Sequence, residues 1–464
     1  MEVNKMDTVY SVVGLGKLGA SMAAAIASRG FQVIGVDINR RAVEAVNAGH
    51  APVRETGLEE LITAHKQRLR ATMDHYEAIA NSDVTFVVVP TPSDERGAFS
   101  LQYAAWAFRK IGYALKEKKG YHLVVLTSTV LPGSTRYGLL PILEKVSGKR
   151  CGVDFGLCYS PEFIALGSVI RDFLNPDFTL IGEYDEKSGS LLESTYARIL
   201  ENNAPCYRMS FENAELAKIA VNTFVTMKIT FANMLADLCE RIPGGNIDAV
   251  TQALGADQRI GPKYLKGSLG YGGPCFPRDN IALSFFARAV DTAAELAETT
   301  DRINRALPAK IVERLKPFFH KGATVAVLGL AYKPFSHVVE ESQGIYLAKT
   351  LADIGFRVVG YDPLAAESAR IELRDQAVVL DSLEECLNQA EVVIIATPDP
   401  VFRRLTLADL QDRNVETVVD CWRILEKELK GHSIRYITIG QNINDEESQA
   451  RLIKLWLTDA NSDT

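Results

Sequence analysis

Residues 8–37 read TVYSVVGLGKLGASMAAAIASRGFQVIGVD, and the fold follows from them. TVYSVVGL (8–15) is an unbroken apolar run of strand length, suited to a strand buried on both faces. GKLGASMAAAIASRG follows as an Ala-rich helix, and FQVIGVD (31–37) as a second strand. Gly14-Leu15-Gly16-Lys17-Leu18-Gly19 fills the first strand-to-helix turn, and Asp37 ends the second strand 23 residues after Gly14. Three spaced glycines alone are weak evidence, but strand, turn, helix and acidic strand end together make the dinucleotide-binding fingerprint. Gly14 permits the tight turn, Gly16 the approach of a pyrophosphate to the helix N-terminus, and Gly19 close packing of helix on strand. Asp37 can accept hydrogen bonds from an adenosine ribose and repels a 2′-phosphate, which favours NAD over NADP. Arg40 and Arg41 soften that exclusion a little.

Outward from this unit, short apolar runs at 84–89, 123–126, 155–159 and 178–182 alternate with helical patterns and predict one parallel α/β sheet. From Glu212 to about Arg241 the chain has no Gly or Pro and keeps near-helical apolar spacing (Leu216, Ile219, Phe224, Met227). Such a helix is about 45 Å long, more than one domain needs, and is expected to join domains and pair with another subunit. A Gly/Pro-rich loop (258–279) and a helical stretch at about 280–305 follow. ATVAVLGLAYK (323–333), a helix around 342–354 and FRVVGYDP (356–363) then repeat the opening pattern: FRVVGYD matches FQVIGVD, and IIATPDP (394–400) matches VVVPTP (87–92). This second unit has Gly329 and Asp362 but no third-glycine pattern, so it is expected to bind something other than a dinucleotide. The fold class is therefore α/β, with two Rossmann-like parallel-sheet domains joined by a long central helix and a small helical domain. The expected boundaries are 1–205, 206–305 and 306–450, with a tail at 451–464 whose end, TDANSDT, is polar and expected to be disordered.

Composition narrows the partners. Among 464 residues, 51 Lys and Arg face 58 Asp and Glu, a net charge of −7 with no basic tract, so nucleic acid and anionic membrane have no electrostatic support. No run of 18 apolar residues occurs, and Met1–Asp7 lacks the apolar core of a signal peptide, which leads to a cytoplasmic expectation. The seven cysteines are scattered, with no CxxC pair to clip a metal, and most read as small buried residues. Cys275 differs, because GYGGPCFPRD (270–279) sets it after glycines that let main-chain amides approach a ligand. Arg278 and a nearby helix start would favour its thiolate.

At this cysteine loop the chain resembles the nucleotide-sugar dehydrogenases of the UDP-glucose 6-dehydrogenase type, which carry G-F-G-G-S-C-F-x-K-D around a nucleophilic cysteine. The resemblance runs over about residues 8–430, through VVPTP (88–92), TSTVLPGSTR (127–136), SPEF (160–163), ELAKIAVN (215–222), RIGPKYLKGSLG (259–270) and LGLAYKP (328–334), in that order. It implies a four-electron oxidation of a primary alcohol to a carboxylate, with two NAD molecules used in turn and Cys275 holding the intermediate as thiohemiacetal and then thioester. By the same resemblance Lys218 assists deprotonation of the alcohol and stabilises oxyanions, with Asn222 beside it. Their spacing of four puts both on one helical face. Asp279 orients water or tunes Lys218, Glu162 is the base that activates water, and Thr129 positions that water. Taken alone, Lys218 and Asn222 would read as a solvated helix face and Glu162 as an N-cap. The implied cofactor contacts are Gly14, Gly16, Lys17, Leu18, Gly19, Asp37, Arg41, Thr91, Thr129 and Arg278. Glu162, Phe163, Lys218, Asn222, Arg259, Tyr264, Lys266, Gly272 and Lys333 are implied for substrate, with Arg259 reaching the site of a neighbouring subunit in a homodimer or larger homo-oligomer. No metal is implied.

Three positions depart from the family pattern. Leu166 replaces a Glu, Pro274 a Ser, and Glu340 an Arg that meets ligand phosphate. Arg278 also stands where a Lys is usual, exchanging a point charge for a planar fork. These changes leave the bond-making residues in place but loosen substrate identity. UDP-glucose comes first, on the SPEF form and FLNPD (173–177), with a UDP-N-acetylhexosamine or dTDP-glucose as the alternative. A two-electron hydroxyacid dehydrogenase of the 6-phosphogluconate type would need neither the cysteine loop nor the second nucleotide fold. A non-catalytic sugar-nucleotide binder is the reading from another class.

Overall fold

The structure is a computed structural model and describes residues 8–442 and 445–460. The chain divides into two compact units, Met1–Val221 with Phe285–Asp291, and Asn222–Ser284 with Thr292–Thr464.

The first unit is built on eight strands: β1 (Val9–Val13), β2 (Gln32–Val36), β3 (Leu69–Thr72), β4 (Val84–Val87), β5 (His122–Leu126), β6 (Phe155–Tyr159), β7 (Thr179–Glu183) and β8 (Cys206–Met209). Their order is β3-β2-β1-β4-β5-β6-β7-β8. Side chains alternate across the sheet, so Val12 packs in one buried cluster with the Ala-rich helix Lys17–Ser28, while Val13 packs in another with the helix Gln102–Glu117. Two covered faces explain why the strands read as continuous apolar runs. One expectation is corrected: β7 runs antiparallel to β6, so the sheet is parallel only through β6 and again between β7 and β8. The edge strands β3 and β8, four residues each, gave no apolar run long enough to read.

The helix Phe211–Cys239 has 29 residues, close to the expected 212–241, and passes from the first unit into the second. Among the described residues it is the one helix long and apolar enough to cross a membrane by those measures alone. It nevertheless buries Glu215 and Lys218 within the fold. The stretch expected at 280–305 is two helices, Phe276–Ala289 and Glu295–Leu315, so the Gly/Pro-rich loop ends at Cys275 rather than 279.

The second unit carries β9 (Thr324–Leu328), β10 (Arg357–Tyr361), β11 (Val378–Val379), β12 (Val392–Ile395), β13 (Thr417–Asp420) and β14 (Arg435–Thr438), all parallel, in the order β11-β10-β9-β12-β13-β14. Val325 and Val327 face one core and Ala326 and Leu328 the other. The expected repeat is present as geometry: Asp362 accepts from the Leu330 and Ala331 N–H groups (2.8 and 2.9 Å), as Asp37 accepts from Leu15 N–H (2.7 Å). The helix Asp445–Ala460 corrects the tail expected from 451, and with it disorder at 458–460; residues 461–464 of that expectation lie outside the described residues.

Candidate active site

In the first unit the glycine turn is built as its spacing required. Gly14 has φ +100°, and a Cβ there would sit 2.2 Å from the Val88 carbonyl oxygen. A Cβ on Gly19 would lie 1.9 Å from the Gly14 oxygen, so only glycine lets this helix close on its strand. Above Gly16 the space is open, with nothing within 4 Å of where a Cβ would stand, and Gly16, the N-cap of the helix that begins at Lys17 and Leu18, brings no side-chain cap of its own. Open space at a helix N-terminus fits a pyrophosphate. Asp37 is fixed at the strand end by Leu15 N–H and Asn39 N–H, both at 2.7 Å, and Arg40 and Arg41 are exposed beyond it.

The motifs VVPTP and TSTVLPGSTR meet beside this turn. Thr91 Oγ1 donates to the Thr129 carbonyl (2.7 Å), while Ser128 Oγ donates to the Val89 carbonyl (2.6 Å) and accepts from Val89 N–H (3.0 Å). Glu215, fully buried on the central helix, accepts from Gly133 N–H (2.6 Å) and Thr135 N–H (2.8 Å) and so holds the second loop. Burial pushes its carboxyl up to about 7. One turn further along the same helix Lys218, 8% exposed, donates to the Glu162 carbonyl (2.6 Å) and lies 4.3 Å from the centre of the Phe163 ring. Residues 160–165 form no helix, which removes the N-cap reading of Glu162. Its carboxyl is buried against Tyr196, and that desolvation outweighs the attraction of Lys218, raising it to about 7.

In the second unit Cys275 immediately precedes the helix Phe276–Ala289, its carbonyl accepting from Asp279 N–H (2.9 Å), and it is the exposed cysteine among seven. Asp279 is 1% exposed; its Oδ2 accepts from Asn222 (2.6 Å), and Arg278 Nε stands 3.6 Å from its Oδ1. The glycines before Cys275 press against the segment after β9: a Cβ on Gly272 would meet the Glu341 carbonyl at 2.3 Å, and Gly273 N–H donates to the Glu340 carbonyl (2.9 Å). Lys333 Nζ lies 5.6 Å from the Tyr332 ring, which itself covers Gly273. The cysteine loop, Lys333 and Glu340 are thus neighbours. Tyr264 is half-exposed in the left-handed region (φ 63°), Lys266 is exposed, and Arg259 is 88% exposed on its side chain, forked onto Asp257. The described residues contain no cluster of metal-ligating side chains.

A dinucleotide turn with an acidic strand end, joined in one chain to a second Rossmann-like sheet and a cysteine at a helix start, defines an NAD-dependent dehydrogenase of the nucleotide-sugar class. Models of the UDP-glucose/GDP-mannose dehydrogenase family match its NAD-binding domain at residues 8–200, its central domain at 212–306 and its UDP-binding domain at 326–427. The chain belongs to that family, and NAD is its coenzyme. Over 399 residues it is 37% identical to a UDP-glucose 6-dehydrogenase of Haloferax volcanii, covering 85% of this chain and 92% of the relative. It is 33% identical to a GDP-mannose 6-dehydrogenase of Pseudomonas putida over 412 residues, covering 86% and 92%. A solved UDP-glucose dehydrogenase from Pyrobaculum islandicum superposes with a TM-score of 0.83 at 35% identity, covering 94% of this chain and 98% of that one.

Proposed function

We propose that the protein oxidises the C6 alcohol of UDP-glucose to the carboxylate of UDP-glucuronate, a precursor for polysaccharide synthesis, through intermediates held on Cys275. The observation that carries this reading is the exposed thiol at a helix start, in a loop docked on the segment that bears Lys333 and Glu340. In this scheme residues 1–205 hold the coenzyme, 206–305 supply the cysteine and the subunit contact, and 306–450 hold the sugar nucleotide.

NAD, when bound, supplies the hydride acceptor, and two molecules in succession take up the four electrons. Lys218 steadies the alkoxide that forms as the C6 hydroxyl gives up its proton. The Cys275 thiolate adds to the aldehyde carbon, forming a C–S bond while the carbonyl oxygen becomes an oxyanion that takes a proton. After the second oxidation the same sulfur carries a thioester. Water positioned by Thr129 then adds to the acyl carbon and gives its proton to Glu162, and the C–S bond breaks with the thiolate as leaving group. Asn222 and Asp279 hold each other at the start of the cysteine helix.

The substrate assignment leans on the Haloferax and Pyrobaculum relatives, while the Pseudomonas relative and Glu340 keep other sugar nucleotides in play. A panel of UDP-glucose, UDP-N-acetylhexosamines, dTDP-glucose and GDP-mannose, followed by NADH absorbance, is expected to give turnover with UDP-glucose at two NADH per sugar. One NADH per sugar would reject the four-electron scheme, and no turnover with any of them would favour a binding protein.

A cytoplasmic homodimer completes the proposal. On the central helix Phe224, Phe231, Met234 and Leu238 are each 47–58% exposed and fall on one face at helical spacing, a seam suited to a second copy. Phe231→Glu is expected to halve the mass measured by light scattering and to lower activity, since Arg259 is assigned to the neighbour's site. An active wild-type monomer would refute the dimer.

A further inference from the structure

The cysteine loop is gripped by side chains that the scheme above does not use, and their contacts converge on one residue. Tyr271 stands four residues before Cys275 and is 4% exposed. Asn304, on the buried side of the helix Glu295–Leu315, meets its main chain twice: Asn304 Oδ1 accepts from Tyr271 N–H (2.9 Å), and Asn304 Nδ2 donates to the Tyr271 carbonyl (3.0 Å). Gln343, the first residue of the helix Gln343–Asp353, donates to the same carbonyl (3.1 Å). At the tip of the side chain, Asn280 on the cysteine helix donates to the Tyr271 hydroxyl (3.0 Å). The ring sits edge-on to that of Phe276, the residue after Cys275, with centroids 6.2 Å apart.

We propose that Asn304 is a positioning residue for the Cys275 sulfur, pairing with the Tyr271 main chain as a neighbouring strand would and so fixing where the nucleophile stands. The need comes from the loop itself. Gly270, Gly272 and Gly273 flank Tyr271, Gly273 with φ +86°, and glycine has the most backbone freedom to lose on being ordered. Such a loop holds a side chain in place only if its main chain is tied. A carboxamide carries one acceptor and one donor side by side, which matches the N–H and C=O of a single residue. With Gln343 added, both lone pairs of the Tyr271 carbonyl are used. Gly270 lets the amide in, since a Cβ there would stand 2.1 Å from Asn304 Oδ1. Downstream, Gly273 N–H donates to the Glu340 carbonyl and the Cys275 carbonyl accepts from Asp279 N–H, each at 2.9 Å. Alternate residues 271, 273 and 275 are thus each held through the main chain.

This role rests on the chemistry proposed for Cys275. There the first oxidation leaves an aldehyde, and the thiolate must add to its carbon before it departs: a C–S bond forms, the carbonyl π pair moves to oxygen, and that oxygen takes a proton. Moving the sulfur by about 1 Å can slow such a step about 10²-fold. Coenzyme binding and the first oxidation do not use the sulfur. Loss of the tie therefore lets aldehyde escape, and the NADH formed per sugar falls from two toward one. An overall loss of stability lowers the amount of active enzyme but leaves that ratio alone.

Asn304→Ala is expected to release aldehyde in place of acid, trapped as its semicarbazone, with NADH per UDP-glucose consumed below about 1.5 and NAD affinity unchanged. Gly270→Ala should act alike, because its methyl drives the amide off Tyr271 with no polar group deleted, and it serves as the test if Asn304→Ala does not fold. Two neighbours separate positioning from loosening. Tyr271→Phe keeps both main-chain bonds and should keep the ratio at two, in line with the Phe of the G-F-G-G-S-C pattern. Asn233 ties the same loop further upstream, donating to the Leu269 carbonyl (3.1 Å) and accepting from Ser268 N–H (2.8 Å). Asn233→Ala should lower the thermal transition and leave the ratio at two. A ratio of two in the folded Asn304 or Gly270 variant, or an equal fall in Asn233→Ala, overturns the assignment.

Hydrogen exchange of the full chain reads the tie without any sugar. Peptides spanning 270–276 are expected to exchange at least about tenfold faster in Asn304→Ala, with peptides of the first unit unchanged. Unchanged exchange in the loop overturns the tie itself. If exchange rises while the variant still forms two NADH per sugar, the tie stands and its role in positioning falls. If Cys275→Ala makes acid at the wild-type rate, the proposed chemistry falls and takes that role with it, while exchange still decides whether Asn304 holds the loop.

Discussion

Replacing Cys275 with alanine is expected to lower production of the acid by at least about 10³-fold while leaving NAD binding unchanged. The residue is exposed at a helix start, so losing its sulfur opens no cavity in the core. The Asp279–Asn222 bond and the Gly273–Glu340 contact are made by other atoms and should persist. What disappears is the covalent hold on the half-oxidised sugar. Without it the aldehyde is free to leave, and the second oxidation has no tetrahedral carbon from which a hydride can depart. Cys275→Ser should fail nearly as badly, because an unactivated hydroxyl ionises far less readily than a thiol. The check combines quenched-flow analysis of the sugar products with NAD binding measured by protein fluorescence. Wild-type acid production by the alanine variant would remove the sulfur from the mechanism and leave the cysteine loop a structural feature.

What could be read from sequence divides along physical lines. The first glycine turn was legible because its pattern is local: Gly14, Gly16 and Gly19 lie within six residues, with Gly19 packed on the Gly14 carbonyl inside the turn and Gly16 facing open space. The equivalent contact in the second unit was not legible. There Gly344 packs on the Gly329 carbonyl as Gly19 packs on Gly14, with 2.1 Å from its would-be Cβ to that oxygen. Those two glycines stand fifteen residues apart because the intervening chain, which carries Lys333 and Glu340, goes to the cysteine loop instead. A spacing rule cannot see through such an insertion. Cys275 stood out because its motif is dense and unusual. Ser160 and Glu215 stand inside SPEF and ELAKIAVN, but nothing in those strings says what they hold, and Tyr196 stands in no motif, since an aromatic on an apolar helix face reads as packing. The hint for Glu215 was its place three residues before Lys218 on one helix. The antiparallel β7 was hidden for another reason: strand direction is set by the connection, and FTLIG has the same composition either way.

Arg423 carries the other large expected effect, on stability. Its side chain is 1% exposed, and its residue sits in the left-handed region (φ 58°) just after β13. All five of its N–H groups find acceptors: two go to Asp248 (2.6 and 2.9 Å) and one each to the carbonyls of Gly267 (2.9 Å), Ile439 (2.6 Å) and Cys421 (3.2 Å). Ser268 Oγ adds a 2.6 Å bond to the Cys421 carbonyl. One guanidinium thus ties the helix Ile247–Ala256, the RIGPKYLKGSLG loop and two strand ends of the second sheet. Arg423→Met keeps much of the volume but takes this donor from the Gly267 and Ile439 carbonyls, leaves the Cys421 carbonyl to Ser268 alone, and leaves Asp248 without its guanidinium partner. The expected cost is about 3–5 kcal/mol, read as a fall of about 10 °C in the thermal transition of that unit. Arg423→Lys should recover only part of it, because an ammonium offers three donors from one point and cannot fork onto Asp248. Asp248→Asn should cost less than either, since that carboxylate is 44% exposed and solvent can replace much of its pairing. Below the transition, the KM for the sugar nucleotide should rise in Arg423→Met while the NAD affinity stays fixed, because Gly267 anchors a loop assigned to substrate and the coenzyme turn lies in the other unit. A shift under about 3 °C in calorimetry would mean that water substitutes for the guanidinium at those carbonyls. The loop would then owe its position to Asn233, which donates to the Leu269 carbonyl and accepts from Ser268 N–H, rather than to Arg423.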